Sequence, residues 1–168
     1  NHYIFRHIVP PIYNYRIGGR FLICAMENKL IFAFSKDKTD GDSSLNTLLG
    51  GKGANLAEMS KMGIPVPPGF TITTEVCNYF TENKKLPDAL DNEIKNSIKK
   101  LEKSSGKSFG NTGTPLLLSV RSGGRVSMPG MMDSILNIGL NDGNISQLTE
   151  AFNDERFALD SYLSLIHI

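Results

Sequence analysis

Cysteine is scarce in this 168-residue chain: Cys24 and Cys77 are the only two, with no C-x-x-C, His-paired or framework spacing. That excludes a disulfide scaffold and a Cys/His zinc site, and each thiol is read as reduced and intracellular. Long apolar runs are missing as well. No stretch approaches the roughly 20 residues that a transmembrane helix needs. Charge of either sign is not in excess, with 18 basic residues against 17 acidic and a net of +1. Such a balance offers no electrostatic footprint for nucleic acid or a membrane surface. Internal repeats and low-complexity tracts are also lacking. What remains, 40% hydrophobic and 21% charged residues, fits one soluble domain or part of one, long enough to bury a core.

Against that background one run stands out. Val120-Arg121-Ser122-Gly123-Gly124-Arg125-Val126-Ser127-Met128-Pro129-Gly130-Met131-Met132-Asp133 follows the apolar Leu116-Leu117-Leu118. It reads as a buried strand emptying into a loop. Glycine lets backbone approach a ligand closely, and arginine presents a permanent planar fork of donors to phosphate oxygens. A lone Arg there would be a surface charge. Two of them, Arg121 and Arg125, among glycines at a strand end describe a polyphosphate site. Met128, Met131 and Met132 either fill core, the reading taken for two of the three, or line a base pocket. Asp133 is expected to cap or orient the arginines rather than bind metal.

A second run, Leu48-Leu49-Gly50-Gly51-Lys52-Gly53-Ala54-Asn55-Leu56-Ala57-Glu58-Met59, sets a lysine among three glycines at the mouth of a helix. Unpaired amides and the macrodipole attract anions there, and lysine adds a mobile point charge. It is not a Walker A loop, because Asn46 stands where its first glycine belongs and Gly53 replaces the Ser/Thr. Nor is it G-x-G-x-x-G, since Leu56 replaces the last glycine. Alone it is equally a tight turn into a helix; beside the arginine loop, phosphate binding becomes the better reading. The candidate phosphate contacts are therefore Gly51, Lys52, Gly53, Arg121, Ser122, Gly123 and Arg125, with Met128, Met132, Asp133 and Ser134 as candidate nucleotide-pocket residues.

Periodicity places these motifs. A strand is expected at residues 30–34, then a polar loop 35–44, the lysine loop, and a short helix over about 54–62 ended by Gly63 as a left-handed cap. Pro65, Pro67, Pro68 and Gly69 hold an extended segment feeding a strand at 70–72. Thr73 or Thr74 caps the next helix, with Val76, Tyr79 and Phe80 on one face. Pro87-Asp88 opens a charged helix to about Ser104, with Leu90, Ile94, Ile98 and Leu101 as its buried stripe. Its lysines Lys95, Lys99, Lys100 and Lys103 form a solvated face, a docking role being the alternative. Residues 106–115 are loop. Strand 116–120 delivers Arg121, and 134–138 is another strand. A turn at 141–144 and helices from Ile145 and Asp154 complete a mixed α/β or α+β chain.

Three blocks, residues 50–59, 63–75 and 118–142, closely resemble the amino-terminal nucleotide-binding domain of the pyruvate, phosphate dikinases. The likeness runs from about Lys29 to about Tyr162. The related pyruvate, water dikinases share the lysine loop and the Val-Arg-Ser start but not the 127–133 stretch. The family usually has alanine where Gly124 and Val126 stand, and threonine where Ser134 stands; none of these changes removes a charge. The resemblance implies the first subdomain, incomplete here, of an ATP-grasp domain whose two halves close on ATP. It implies that Lys52 and Arg121 contact nucleotide phosphates, with Arg121 in a catalytic role. Arg125 helps or anchors the loop. The implied reaction carries phosphate from ATP to a histidine and then to phosphate and pyruvate, interconverting ATP, pyruvate and phosphate with AMP, phosphoenolpyruvate and diphosphate. The histidine, the pyruvate site and the carboxylates holding Mg2+ would lie beyond this sequence, so no metal ligand is expected within it. The partners implied are ATP or AMP and, through other domains, pyruvate, phosphoenolpyruvate and phosphate, in a homo-oligomer of the whole enzyme. A cytoplasmic location is expected, an organelle being the alternative. Two other readings stay open: a water dikinase acting on pyruvate or glucan, and a non-catalytic nucleotide-binding module.

The ends differ from the middle. Residues 1–25 contain no Asp or Glu and match nothing in the family, and the chain opens on Asn. Met26 is read as the initiator and 1–25 as translated upstream sequence; the competing reading is a transit peptide, ranked second because Ser is lacking before Ser35 and Pro10-Pro11 interrupts it. Removing Arg6, Arg16 and Arg20 from 18 basic residues leaves 15 against 17 acidic, a net of −2. Residues 26–162 are read as the dikinase portion. The closing Leu163-Ser164-Leu165-Ile166-His167-Ile168 back-translates as CTG TCT CTT ATA CAC ATC, the end of a transposase adapter used in sequencing libraries. It is read as adapter-derived, and His167 receives no role.

Overall fold

The computed structural model describes residues 29–110, 113–123 and 134–166. The expected extension 1–25 lies outside these residues, as do Arg125, Met128, Met131, Met132, Asp133 and His167. The described chain forms two compact units. The first takes the residues up to Glu93 together with Gly123. The second takes Ile94–Ser122 and the residues from Ser134 onward.

In the first unit, strand β1 (Ile31–Phe34) pairs antiparallel with β2 (Gly69–Ile72), Ile31 against Ile72 and Phe34 against Gly69. Between them in sequence lies helix α1 (Asn46–Lys61), entered through a 3-10 turn at Ser43–Leu45. Leu49, Ala54 and Ala57 of α1 are buried, which makes it the helix that covers the β1–β2 pair. Gly53 is buried with them. A Cβ at Gly53 would stand 2.6 Å from Thr71 Cγ2 on β2, so the glycine is what lets helix and strand approach. Helix α2 (Thr74–Asn83) buries Val76, while Tyr79 is exposed and Phe80 half-buried, so the expected three-residue face narrows to two.

Helix α1 begins eight residues before the expected Ala54. Its first turn, Asn46–Leu49, is separated from the rest by Gly50 at φ +69°, ψ 164°. By sequence alone the three glycines fit a loop. Only Gly50 breaks the helix; Gly51 and Gly53 are helical, held there by the burial of Leu49 and Ala54 on either side. At the other end Gly63 takes φ +78° as expected, with its amide donating to Ser60 O and that of Ile64 to Met59 O. Thr73 occupies the position before α2 with extended backbone but makes no side-chain capping bond. Its hydroxyl is fully buried and has no hydrogen-bond partner among the described residues. Thr74 instead donates to Thr47 O at 2.8 Å, tying α2 to the first turn of α1.

Helix α3 (Leu90–Ser105) has the expected stripe: Leu90 and Leu101 are buried, Ile94 and Ile98 half-buried, and its lysines exposed. In the second unit, β3 (Leu118–Arg121) and β4 (Ser134–Ile138) form an antiparallel pair. Helices α4 (Ile145–Phe152) and α5 (Glu155–Ile166) pack against each other, and α5 against β4. Leu140, Leu148 and Ala158 are the buried cluster, with Leu117, Ile145, Tyr162 and Leu165 around it. Asp154, from which this helix was expected to begin, caps α5, accepting from the Phe157 amide at 2.9 Å. Residues 163–166, read as adapter-derived, continue α5. Strands and helices thus mix as α+β. Among the described residues no helix is long and apolar enough to cross a membrane.

Candidate phosphate-binding segments

Lys52 sits in the first turn of the helical run that starts after Gly50, and it is exposed. The left-handed φ of Gly50 turns the chain so that the amides of the next residues open a new helix. Gly51 has ordinary space around it, its nearest neighbour being Asn46 Oδ1 at 3.7 Å from a Cβ built there. The three glycines therefore divide their tasks: Gly50 makes the break, Gly51 leaves room, and Gly53 seats the helix on Thr71.

The approach to this helix is clasped from below. Asp42 accepts hydrogen bonds from the Ser44 hydroxyl and, at 3.0 Å, from the Ser44 amide. Lys61 Nζ donates to its other oxygen at 3.0 Å, and the Ser43 amide donates to Glu58 Oε2 at 3.1 Å. These bonds lash the entering turn to the far end of α1. They favour the ionised carboxyl and pull the Asp42 pKa down to about 2, the hydroxyl of Ser44 contributing most. Asp40 is also lowered: partial burial pulls its pKa up, but Lys29 at 2.8 Å and the Ala33 amide outweigh that.

A carboxylate whose folded pKa lies below its unfolded value of about 3.9 stabilises above that value, and the contribution disappears as pH falls through the folded pKa. Thermal stability should therefore fall between about pH 5 and pH 2, and Asp42→Asn should lower stability at neutral pH while flattening that acid slope. Melting curves across the window decide the matter: an unchanged slope in the variant would mean that the clasp contributes nothing.

In the second unit Arg121 ends β3 opposite Ser134, the first residue of β4, and both are exposed. Ser122 turns inward, 7% exposed. Gly123 follows with half exposure, and a Cβ built on it meets nothing within 4 Å. Among the described residues, neither packing nor a positive φ requires glycine at that position. Arg121, Ser122 and Ser134 are thus brought to one end of one hairpin, while Gly51, Lys52 and Gly53 belong to the first unit. Among the described residues no group of three or more His, Cys, Asp or Glu could hold a metal ion.

Two features escaped the sequence reading. Asn137, inside β4, has φ +60°. Gly139 has φ +114°, with the Leu116 carbonyl 2.6 Å from where a Cβ would stand. The available signal was the spacing of Ile135 and Ile138, three apart in a segment expected to be a strand.

Comparison with known proteins now bears on these segments. Residues 46–107 match the family described as pyruvate phosphate dikinase, AMP/ATP-binding domain. The chain is 56% identical over 135 residues to pyruvate, phosphate dikinase of Rickettsia felis, covering 80% of this chain and 15% of that protein. It belongs to the pyruvate, phosphate dikinase family. A relative of that name from Entamoeba histolytica is 51% identical over 139 residues, 82% of this chain and 15% of its own length. The chloroplastic pyruvate, phosphate dikinase of Mesembryanthemum crystallinum is 50% identical over 135 residues, 80% of this chain and 14% of its own. The chain thus spans about 15% of the length of these dikinases. The match to the AMP/ATP-binding domain takes in the Lys52 helix, and the longer pairwise matches cover four-fifths of the chain.

Proposed function

We propose that this chain supplies the phosphate-binding part of a dikinase ATP/AMP-binding domain of the ATP-grasp type. Phosphate contacts are assigned to Gly51, Lys52 and the amides after Gly50, and likewise to Arg121, Ser122, Gly123 and Arg125. The observation that carries the reading is the end of β3, where an exposed arginine is followed by a glycine with open space around it. Arginine there offers bidentate donors, and the bare glycine lets a phosphate oxygen reach the main chain. Lys52 adds a charge at a helix N-terminus, where amides and macrodipole already favour an anion. Gly53 takes part through its amide alone, since Thr71 fills the space beside it.

In the whole protein these groups would neutralise charge on phosphoryl groups leaving ATP for a histidine, an electrostatic and positioning task. Mg2+, pyruvate, phosphoenolpyruvate, inorganic phosphate and the acceptor histidine are assigned to parts outside this sequence. So is the homo-oligomer contact. Met128, Met132, Asp133 and Ser134 are assigned to the nucleotide pocket.

The cationic groups here lack the second half of an ATP clamp, and affinity depends on enclosing most of a ligand. The 168-residue chain should accordingly bind ATP near millimolar, about 4 kcal/mol, and transfer no phosphate. Calorimetric titration with ATP tests this. Micromolar affinity, or any turnover, would show a complete site and overturn the reading of an open half.

A further inference from the structure

Ile135 and Ile138 of β4 are both half-buried and pair with Val120 and Leu118, which are half-buried too. Side chains alternate along a regular strand, so residues three apart fall on opposite faces. The ladder reconciles the two by a register shift between Leu118 and Val120. Two residues of β4, Leu136 and Asn137, stand against the single Ser119, which is a β-bulge. Asn137 makes the bend with φ +60°, a conformation asparagine tolerates and β-branched residues resist.

The far side of the bulge is pinned. Asn137 Nδ2 donates to Ser161 O on α5 at 3.2 Å, and the Leu140 amide donates to Asn137 O at 3.2 Å. Gly139 has room for no side chain, a Cβ there standing 2.6 Å from Leu116 O, and Leu140 is in the core. If the extra residue could not be accommodated, Ile138 would stay on Leu118 and the slip would appear at the other end. Ile135 would then face Arg121, and Leu136 would face Val120. A one-residue slip exchanges the faces of every residue it moves.

We propose that Asn137 is a positioning residue for the Arg121 site: its left-handed bulge sets Ser134, and not Ile135, opposite Arg121 on the exposed face. The guanidinium then stands next to a small polar residue rather than a branched apolar one, and the loop after β3 leaves from a matched pair. The register assignment stands on geometry alone; its consequence for ligand binding rests on the phosphate reading above.

Cross-strand backbone NOEs in the 168-residue chain test the register. In the unsubstituted chain and in Asn137→Gly, which keeps the bend without the amide, cross-peaks should join Arg121 to Ser134. In Asn137→Val they should move to Arg121 and Ile135. Removing Leu136 from the Asn137→Val chain makes β4 a regular strand of the original phase and should restore the Arg121–Ser134 cross-peaks. Retention of the original cross-peaks in Asn137→Val, or their loss in Asn137→Gly, would overturn the proposal. If Asn137→Val does not fold, the deletion decides: recovery of the fold and pairing supports it, and an unfolded chain refutes it.

A parallel titration with ATP, followed at the Arg121 Nε–H signal, separates the two readings. The signal should move at millimolar ATP in the unsubstituted chain and in Asn137→Gly, and several-fold less in Asn137→Val. Should the register change as expected while ATP leaves Arg121 unmoved throughout, the bulge keeps its role and the phosphate assignment falls.

Discussion

Replacing Arg121 by alanine in a full-length dikinase carrying this segment should slow phosphorylation of the acceptor histidine by ATP about a hundredfold. That corresponds to on the order of 3 kcal/mol, the usual cost of removing one donor that meets charge developing in a transition state. Stability should scarcely change, because Arg121 is exposed at a strand end and exposed substitutions usually stay within about 0.5 kcal/mol. Arg121→Lys should fall between, since it keeps a charge but loses the planar fork. Rapid-quench measurement of the phosphohistidine alongside thermal melts separates the two effects. A variant that labels its histidine at the normal rate, or that loses activity in step with its melting temperature, would remove Arg121 from the chemistry.

Gly139→Ala should cause the largest loss of stability in the second unit, roughly 3 kcal/mol or more. The backbone there sits at φ +114°, where any side chain is strained by about 1–3 kcal/mol. The new Cβ would also lie 2.6 Å from the Leu116 carbonyl and 3.1 Å from the Phe109 ring, and overpacking of that kind costs about 1–3 kcal/mol. A backbone oxygen cannot turn aside as the end of a flexible side chain can. Gly123→Ala is the matched control: among the described residues nothing lies within 4 Å of its Cβ position, so unfolding should shift by less than about 0.5 kcal/mol. Urea unfolding of both variants settles it. Equal midpoints would mean that the close approach of Gly139 to Leu116 contributes nothing to stability.

The two glycines mark where local reading stops. Residues 134–138 were legible as a strand, and Ile145 and Asp154 as helix starts after a turn, because apolar content and turn signals act over a few neighbours. The stripe Leu90, Ile94, Ile98 and Leu101 was legible for the same reason. Gly63 as a left-handed cap follows from its place after a helical run. The two cationic segments were visible as well, since glycine beside Lys52 or Arg121 is a chemical pattern within one stretch of chain. Those features the sequence determined by itself.

Tertiary neighbours decided the rest. Gly51 and Gly53 looked like loop, yet burial of Leu49 and Ala54 against the β1–β2 pair extends α1 through them, and Thr71 explains why Gly53 has no side chain. Tyr79 shares a helical face with Val76 by spacing but is exposed, and Thr73 is buried without its capping bond. The pairing of Arg121 with Ser134 depends on a bulge at Asn137, which depends in turn on what α5 and Leu116 hold in place. Register is a relation between strands distant in sequence. Alternation within one strand states only that Ile135 and Ile138 conflict; the partner strand and the packed helix behind it choose how the conflict is resolved.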